Sequence, residues 1–150
     1  MCSLISYDNK YSKNCTCGNL RKTTRTITQF YDKMLQPTGL RSTQCLLLLD
    51  IYYNQNISVT NLSNILLMDQ STVTRNVELL RKSGYIDIKK EEQDSRKKCI
   101  TITDKGLKTL DLSVPIFASA QSTIEDGIGK ERIKELLKTL KDIEKLVKGI

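Results

Sequence analysis

A cluster of polar side chains between Gln70 and Arg75 carries groups that could read the edges of DNA bases. Gln70, Ser71, Thr72 and Thr74 offer amide and hydroxyl groups, which both donate and accept hydrogen bonds. Arg75 adds a guanidinium, which can hold O6 and N7 of guanine together in the major groove. These residue types predict a surface that recognises duplex DNA, provided that one helix presents them together.

The residues around this cluster predict such a helix and a second helix before it. Val73, Val77 and Leu80 lie within about 60° of one another at 100° per residue, so they form a core face opposite the polar side chains. Asp69 can accept hydrogen bonds from the N–H groups that open this helix near Gln70. The preceding helix begins after Ser58, a good N-cap, and has one apolar face made of Val59, Leu62, Ile65 and Leu66.

After this recognition helix the pattern changes from helix to strand. Gly84 follows two cations and can take the left-handed conformation that ends a helix. Segments 85–88 and 99–102 alternate or are β-branched, and the charged segment 89–98 joins them. The block from Ser58 to Thr103 therefore predicts helix, turn, helix, strand, charged loop and strand, which is a winged helix-turn-helix. We expect Arg96 at the wing tip to enter the minor groove, where A·T tracts narrow it, with Lys97 as a further DNA contact.

Four pieces of this block resemble the MarR family of transcriptional regulators, in the family's order and spacing. They are LMDQSTVTR at 67–75, LLRKSGYI at 79–86, DSR at 94–96 and TDKG at 103–106. The resemblance continues upstream through the CTCGNLR run at 15–21 and Tyr31-Asp32, and downstream through Val114-Pro115 and Ala120-Gln121. It covers about residues 14–146 and is similar to a subgroup with an N-terminal Cys-x-Cys.

The resemblance implies a homodimer that binds double-stranded DNA as an inverted repeat. It also implies that Asp94 fixes the wing or Arg96 by an ion pair. We further expect Thr43 among the DNA contacts. Regulation in the family often comes from a small aromatic or phenolic effector, which binds between the DNA lobe and the helical lobe. The effector of this chain is not defined by its sequence.

The rest of the chain is predicted to be helical and to serve dimerisation. We expect one domain over 1–150, with dimerisation helices at about 14–36 and 104–150 and the winged helix-turn-helix lobe at about 41–103. A helix from Thr43 to Tyr53, with the apolar run 45–49, should be buried on most sides. Pro115 alone would predict a helix break, whereas the family resemblance implies a kinked, continuous helix. We expect the second, because the apolar repeat keeps its phase across Pro115. The fold class is thus mainly α with a small β-wing.

Each predicted DNA contact has a structural alternative. Ser71 and Thr72 could only cap the recognition helix, and Arg75 could pair with Glu78 on the same surface. The Asp94-Ser95-Arg96 run could be a hairpin tip without a DNA contact.

The formal net charge of +7 suits a polyanionic partner but does not locate the reading face. Residues 69–103 carry eight Lys/Arg against six Asp/Glu, whereas residues 1–44 carry seven against two. No apolar run approaches the roughly 18 residues that span a bilayer, and the N-terminus lacks a signal pattern, so we expect no membrane association and a cytoplasmic protein.

The cysteines leave three interpretations open. Cys45 and Cys99 fall at positions that indicate buried helix and buried strand. Cys15 and Cys17 lie near a helix N-terminus, where thiol pKa values can fall, so the pair could pack at the dimer seam, act as a redox switch or contribute to a metal site. Cys-x-Cys is a weak metal signal in a chain without histidine, and we expect neither a metal nor another cofactor.

The sequence favours a homodimeric transcriptional regulator, more often a repressor than an activator, released by a small ligand or by thiol oxidation. The absence of histidine and of nucleophile or phosphate-loop motifs argues against an enzyme. One alternative is a winged-helix module that contacts protein within the transcription machinery and binds DNA only non-specifically. An oxidoreductase that uses the paired thiols is a remote third possibility.

Overall fold

A computed structural model describes residues 13–90 and 98–149, and helices dominate it. The helices are α1 (Thr16–Leu35), α2 (Ser42–Tyr53), α3 (Val59–Leu66), α4 (Gln70–Lys82), α5 (Asp104–Ile128) and α6 (Lys130–Lys148), with a 3₁₀ turn at Gln36–Thr38. Two strands, β1 (Ile86–Lys90) and β2 (Lys98–Ile102), lie between α4 and α5. No helix in the described part of the chain is long and apolar enough to cross a membrane.

The helix starts follow the predicted capping residues. Ser58 caps α3 by accepting from the Asn61 N–H at 3.1 Å, and Thr103 caps α5 by accepting from the Gly106 N–H at 3.1 Å. The end of α4 is also as predicted, because Gly84 has φ +76° and the Tyr85 N–H donates to the Leu80 carbonyl across it. Side-chain chemistry within three residues of each helix end therefore sets these boundaries.

The wing is an antiparallel pair in which Ile86 faces Ile102 and Ile88 faces Ile100. The first strand begins one residue later than predicted, because Tyr85 still belongs to the helix end, and it extends to Lys90. On the other side of β2, the Ile100 N–H donates to the Ile57 carbonyl at 2.8 Å, a pairing that the sequence did not predict. The wing is therefore anchored to the segment that leads into α3.

The hydrophobic core lies inside the DNA lobe and extends to the long helices. Its fully buried side chains come from α2, α3, α4 and both strands, and they include Leu48, Leu62, Val77, Leu80 and Ile100. Leu35 of α1 and Leu110 of α5 belong to the same cluster. The recognition helix therefore packs its buried face into a core shared with the other elements, and its main contacts are with α3 and β1.

Three burial predictions need correction. Leu46 in the apolar run of α2 is 45% exposed, because five consecutive helical residues cover more than a full turn and one must face outward. Ile65 is 48% exposed and does not join the buried face of α3. Cys99 is only half-buried, because neighbouring strand residues face opposite sides and Ile100 takes the core side.

The long helix α5 is continuous through Pro115, which confirms the expected continuity, while the expected kink stays a prediction. It packs on α1, where the Tyr31 hydroxyl donates to Oε1 of Gln121 at 2.7 Å and the Gln121 amide donates to Glu125 at 2.9 Å. Burial raises the pKa of Tyr31, and Glu125 adds to this rise. The next residue of α1, Asp32, accepts from both the N–H and the hydroxyl of Ser42 at 2.7 Å, so α1 also holds the start of α2.

Candidate nucleic-acid interface

The start of the recognition helix α4 is organised by one carboxylate. Asp69 accepts from the Thr72 N–H at 2.8 Å and from the Thr72 hydroxyl at 2.7 Å, and it also accepts from the Ser71 hydroxyl. The hydrogen bonds from Ser71 and Thr72 lower the pKa of the Asp69 carboxyl to about 2. The carboxylate is therefore charged at neutral pH, and both hydroxyl protons point at it.

These contacts refine the predicted roles of Ser71 and Thr72. Asp69 is the N-cap of α4. Ser71 and Thr72 therefore do not cap the helix themselves, but their hydroxyls donate to the capping carboxylate. Ser71 is exposed and Thr72 is half-buried. Their part in binding DNA stays a prediction.

Arg75 is exposed on the face opposite Val73 and Val77, as the helical spacing predicts. The alternative partner, Glu78, instead pairs with Arg81 at 2.9 Å through hydrogen bonds that lower the pKa of Glu78. Within residues 13–90 and 98–149 the Arg75 side chain makes no hydrogen bond or ion pair. Its guanidinium is thus available to a ligand approaching this face.

Gln70 and Thr74 complete the exposed polar face. The Thr74 hydroxyl donates to the Gln70 carbonyl at 2.7 Å, and the Gln70 side-chain amide donates to Oγ1 of Thr60 at 3.3 Å. Thr60 lies in the first turn of α3 and is exposed. Sequence reasoning missed Thr60, because no local pattern shows which residue of α3 faces the start of α4.

The remaining predicted contacts fall in different places. Thr43 is exposed in the first turn of α2, and the described contacts do not join it to α4. Asp94, Arg96 and Lys97 lie outside the described residues, so their predicted roles at the wing tip are not placed. The strands that carry the tip present exposed Lys89 and Lys98 near its base.

The cysteines in the described part of the chain differ in exposure. Cys15 and Cys17 are both exposed, and Sγ of Cys15 caps α1 by accepting from the Gly18 N–H at 3.4 Å. Cys45 is fully buried, and this burial raises the pKa of its thiol. An oxidant in solution can therefore reach the first pair but not Cys45.

Comparisons with known proteins agree with this geometry. The MarR family model matches residues 40–98, which contain the helix-turn-helix and the first wing strand β1. The HTH-type transcriptional regulator BilQ of Clostridioides difficile is 31% identical over 121 residues, which cover 79% of this chain and 82% of BilQ. The organic hydroperoxide resistance transcriptional regulator of Bacillus subtilis is 25% identical over 138 residues, which cover 89% of this chain and 92% of that protein.

A solved structure gives the same result for the fold. The Mycobacterium tuberculosis transcriptional regulator MosR in complex with DNA has a TM-score of 0.77 and 28% identity, and the match covers 89% of this chain and 98% of MosR. The winged helix-turn-helix with its long flanking helices is therefore shared. The chain belongs to the MarR family and is a DNA-binding transcriptional regulator.

Proposed function

We propose that the chain acts as a homodimeric repressor that binds an inverted-repeat operator. In a two-fold dimer the two α4 helices would enter successive major grooves about 34 Å apart, so each half-site would meet the same residues. The observation that carries this proposal is the exposed Arg75, which has no side-chain partner within residues 13–90 and 98–149, on a helix that buries Val73, Val77 and Leu80 on its other face. The proposed base-reading set is Gln70, Ser71, Thr72, Thr74 and Arg75.

An exposed apolar surface supports the dimer. On α6, Leu136, Leu137 and Val147 remain exposed, although the helix has a continuous apolar stripe. Val147 also lines a groove with the half-buried Leu20 of α1 and Ile143 of α6, so the surface continues onto α1. Apolar faces of this length on long helices are typical of surfaces that a second subunit covers.

Selection of bound sites from a random duplex library, at a salt concentration of about 150 mM, tests this function. We expect a palindromic motif whose affinity exceeds that of a scrambled duplex by about 10³-fold or more. Uniform, steeply salt-dependent binding without a motif would contradict the proposal and favour the protein-interaction module. We propose action by binding and not by catalysis, in the cytoplasm, as expected of a regulator whose relatives are bacterial.

We also propose that oxidation of Cys15 or Cys17 releases the DNA. Both thiols are exposed at the start of α1. The same helix contacts α5 through Tyr31 and Gln121, and it contacts the DNA lobe through Asp32 and Ser42. The relative named for organic hydroperoxide resistance supports a peroxide as the oxidant. A thiol that reacts with hydrogen peroxide becomes a sulfenic acid, and the peroxide is reduced to water. A small aromatic or phenolic effector is the alternative releasing signal.

The thiol proposal is tested by DNA affinity before and after mild peroxide treatment, with free thiols counted in parallel. We expect oxidation to weaken specific binding of the unmodified protein, and to have no effect on the Cys15→Ser, Cys17→Ser double variant. Cys99→Ser is the matched control, because it removes a thiol elsewhere and should keep the response. Unchanged affinity while Cys15 and Cys17 oxidise would contradict the switch.

A further inference from the structure

The hydroxyl groups at the start of α4 already donate hydrogen bonds within the protein. A serine or threonine hydroxyl has one proton to donate and two lone pairs to accept with. The protons of Ser71 and Thr72 go to Asp69, and the proton of Thr74 goes to the Gln70 carbonyl. In this arrangement these three side chains can accept hydrogen bonds from DNA, but they cannot donate any.

Within the proposed base-reading set, Gln70 and Arg75 therefore supply the side-chain donors. The Gln70 amide has two N–H protons and one carbonyl oxygen. One proton is donated to Oγ1 of Thr60 at 3.3 Å, which leaves one N–H and Oε1 without a hydrogen-bond partner among the described residues. Both residues of this pair are exposed, so a ligand on this face can reach the remaining groups.

One donor next to one acceptor matches a single base in the major groove. Adenine presents N7 as an acceptor and N6 as a donor, and glutamine pairs with both at once. Guanine presents two acceptors, N7 and O6, so the Gln70 carbonyl oxygen would face an oxygen there. The bond to Thr60 matters because it restrains the Gln70 amide in the arrangement with Nε2 at Oγ1 of Thr60, whereas an unrestrained amide could rotate freely.

From this geometry we propose that Gln70 reads an adenine in each half-site and that Thr60 is the positioning residue that orients the Gln70 amide. The inference depends on the proposed binding of an inverted-repeat operator. Thr60 touches no base in this arrangement and acts on specificity through Gln70 alone. Arg75 remains the reader of a separate guanine.

The test begins with sites selected by the unmodified protein and by the Gln70→Ala variant. We expect both motifs to be palindromic and to differ at one position per half-site, where the preference for adenine disappears in Gln70→Ala. Replacing that A·T pair by G·C should weaken binding of the unmodified protein about tenfold. The same replacement should leave the affinity of Gln70→Ala nearly unchanged.

The role of Thr60 is then measured by the same ratio of affinities, for the duplex with A·T and the duplex with G·C at that position. Thr60→Val has nearly the same shape but no hydroxyl, and we expect its discrimination to fall several-fold while its affinity for random DNA is kept. Thr60→Ser keeps the hydroxyl and should restore the ratio to within about twofold. In the Gln70→Ala background Thr60→Val should change nothing further, because the two residues act as a unit. Thermal unfolding of each variant checks that the fold is retained.

Several outcomes would overturn the inference and leave the proposed function standing. A palindromic motif that Gln70→Ala does not alter would exclude base reading by Gln70. A guanine at the Gln70-dependent position would show that the amide is held the other way round. If Thr60→Val lowered the affinity for the selected site equally in the presence and absence of Gln70, Thr60 would not act through Gln70. Failure of the unmodified protein to select any palindrome would instead contradict the proposed function.

Discussion

Gly106 shows how a single atom limits the junction between the wing and α5. A β-carbon at this position would overlap the carbonyl oxygen of Tyr85 and lie 2.7 Å from Cγ1 of Ile102. The Thr103 hydroxyl donates to the Gly84 carbonyl at 2.7 Å and holds the same two segments together. The close approach of backbone to helix therefore requires a residue without a side chain.

We expect Gly106→Ala to lower the free energy of unfolding by about 1–3 kcal/mol, because the wing entry must shift to make room. Urea unfolding measures the effect. Gly127→Ala is the matched control: it lies in the same helix with open space around it, and it should be neutral or stabilising by up to about 1 kcal/mol. Equal effects of the two substitutions would show that the contact with Tyr85 is unimportant.

Arg75 is the second residue whose role can be isolated. We expect Arg75→Ala to lose about 1–3 kcal/mol of binding on the selected site and to relax preference at one base pair. Arg81→Ala on the same helix is the control, because its guanidinium already pairs with Glu78. Affinity is measured on the selected site and on random DNA. Equal losses on both would mean that Arg75 contacts phosphate only.

At the scale of the element, the cap of α4 should make stability depend on pH. The folded pKa of Asp69 is lowered from 3.8 to about 2, so its charged form stabilises the folded state. This contribution is complete above about pH 4 and is lost as the pH falls toward 2. An Asp69→Asn variant lacks the titration. We therefore expect the unmodified protein to be more stable than the variant at pH 6 and the difference to shrink between pH 4 and pH 2.

The comparison requires urea unfolding of both proteins at several pH values in this range. Glu78 also has a lowered pKa, but it is present in both proteins and cancels in the difference. A stability difference that stays constant from pH 6 to pH 2 would show that the Asp69 charge does not contribute.

The turn between α3 and α4 is less regular than its sequence indicates. Leu67 ends α3 with φ +53° and ψ +39°, a left-handed conformation that glycine or asparagine usually adopts. Its side chain is 54% exposed, so packing does not explain the choice of leucine. Nothing in the described structure accounts for it.

At the scale of the whole molecule, the exposed apolar residues of α6 predict how the dimer can be separated. Val147 is 63% exposed, and we expect Val147→Glu to raise the dimer dissociation constant at least tenfold, because an apolar contact would be lost and a carboxylate would be taken out of water. Analytical ultracentrifugation measures it. Specific DNA binding should weaken in parallel, since two half-sites must be bound together.

A control for this substitution lies two residues earlier. Lys145→Gln makes the same change in net charge, but at 100° per residue it sits about 160° around the helix from Val147. It should leave the dissociation constant nearly unchanged. A Val147→Glu protein that stays dimeric would show that α6 does not contribute this face to the interface.

The sequence by itself determined the local structure of the DNA lobe. The caps Ser58, Asp69 and Thr103, the left-handed Gly84 and the buried face of α4 all follow from groups within a few residues of each other. Rules of helix capping and periodicity operate at this range, so they need no knowledge of the fold. Exposure of Arg75 followed from the same periodicity.

Only the tertiary structure decided which groups meet across elements. It paired Gln70 with Thr60, joined Ile57 to Ile100, clamped Ser42 to Asp32 and placed Gly106 against Tyr85. Each pair is separated by ten or more residues, and its contact depends on the angle and distance at which two elements pack. Local patterns carry no information on these angles, because the shared core behind the elements sets them.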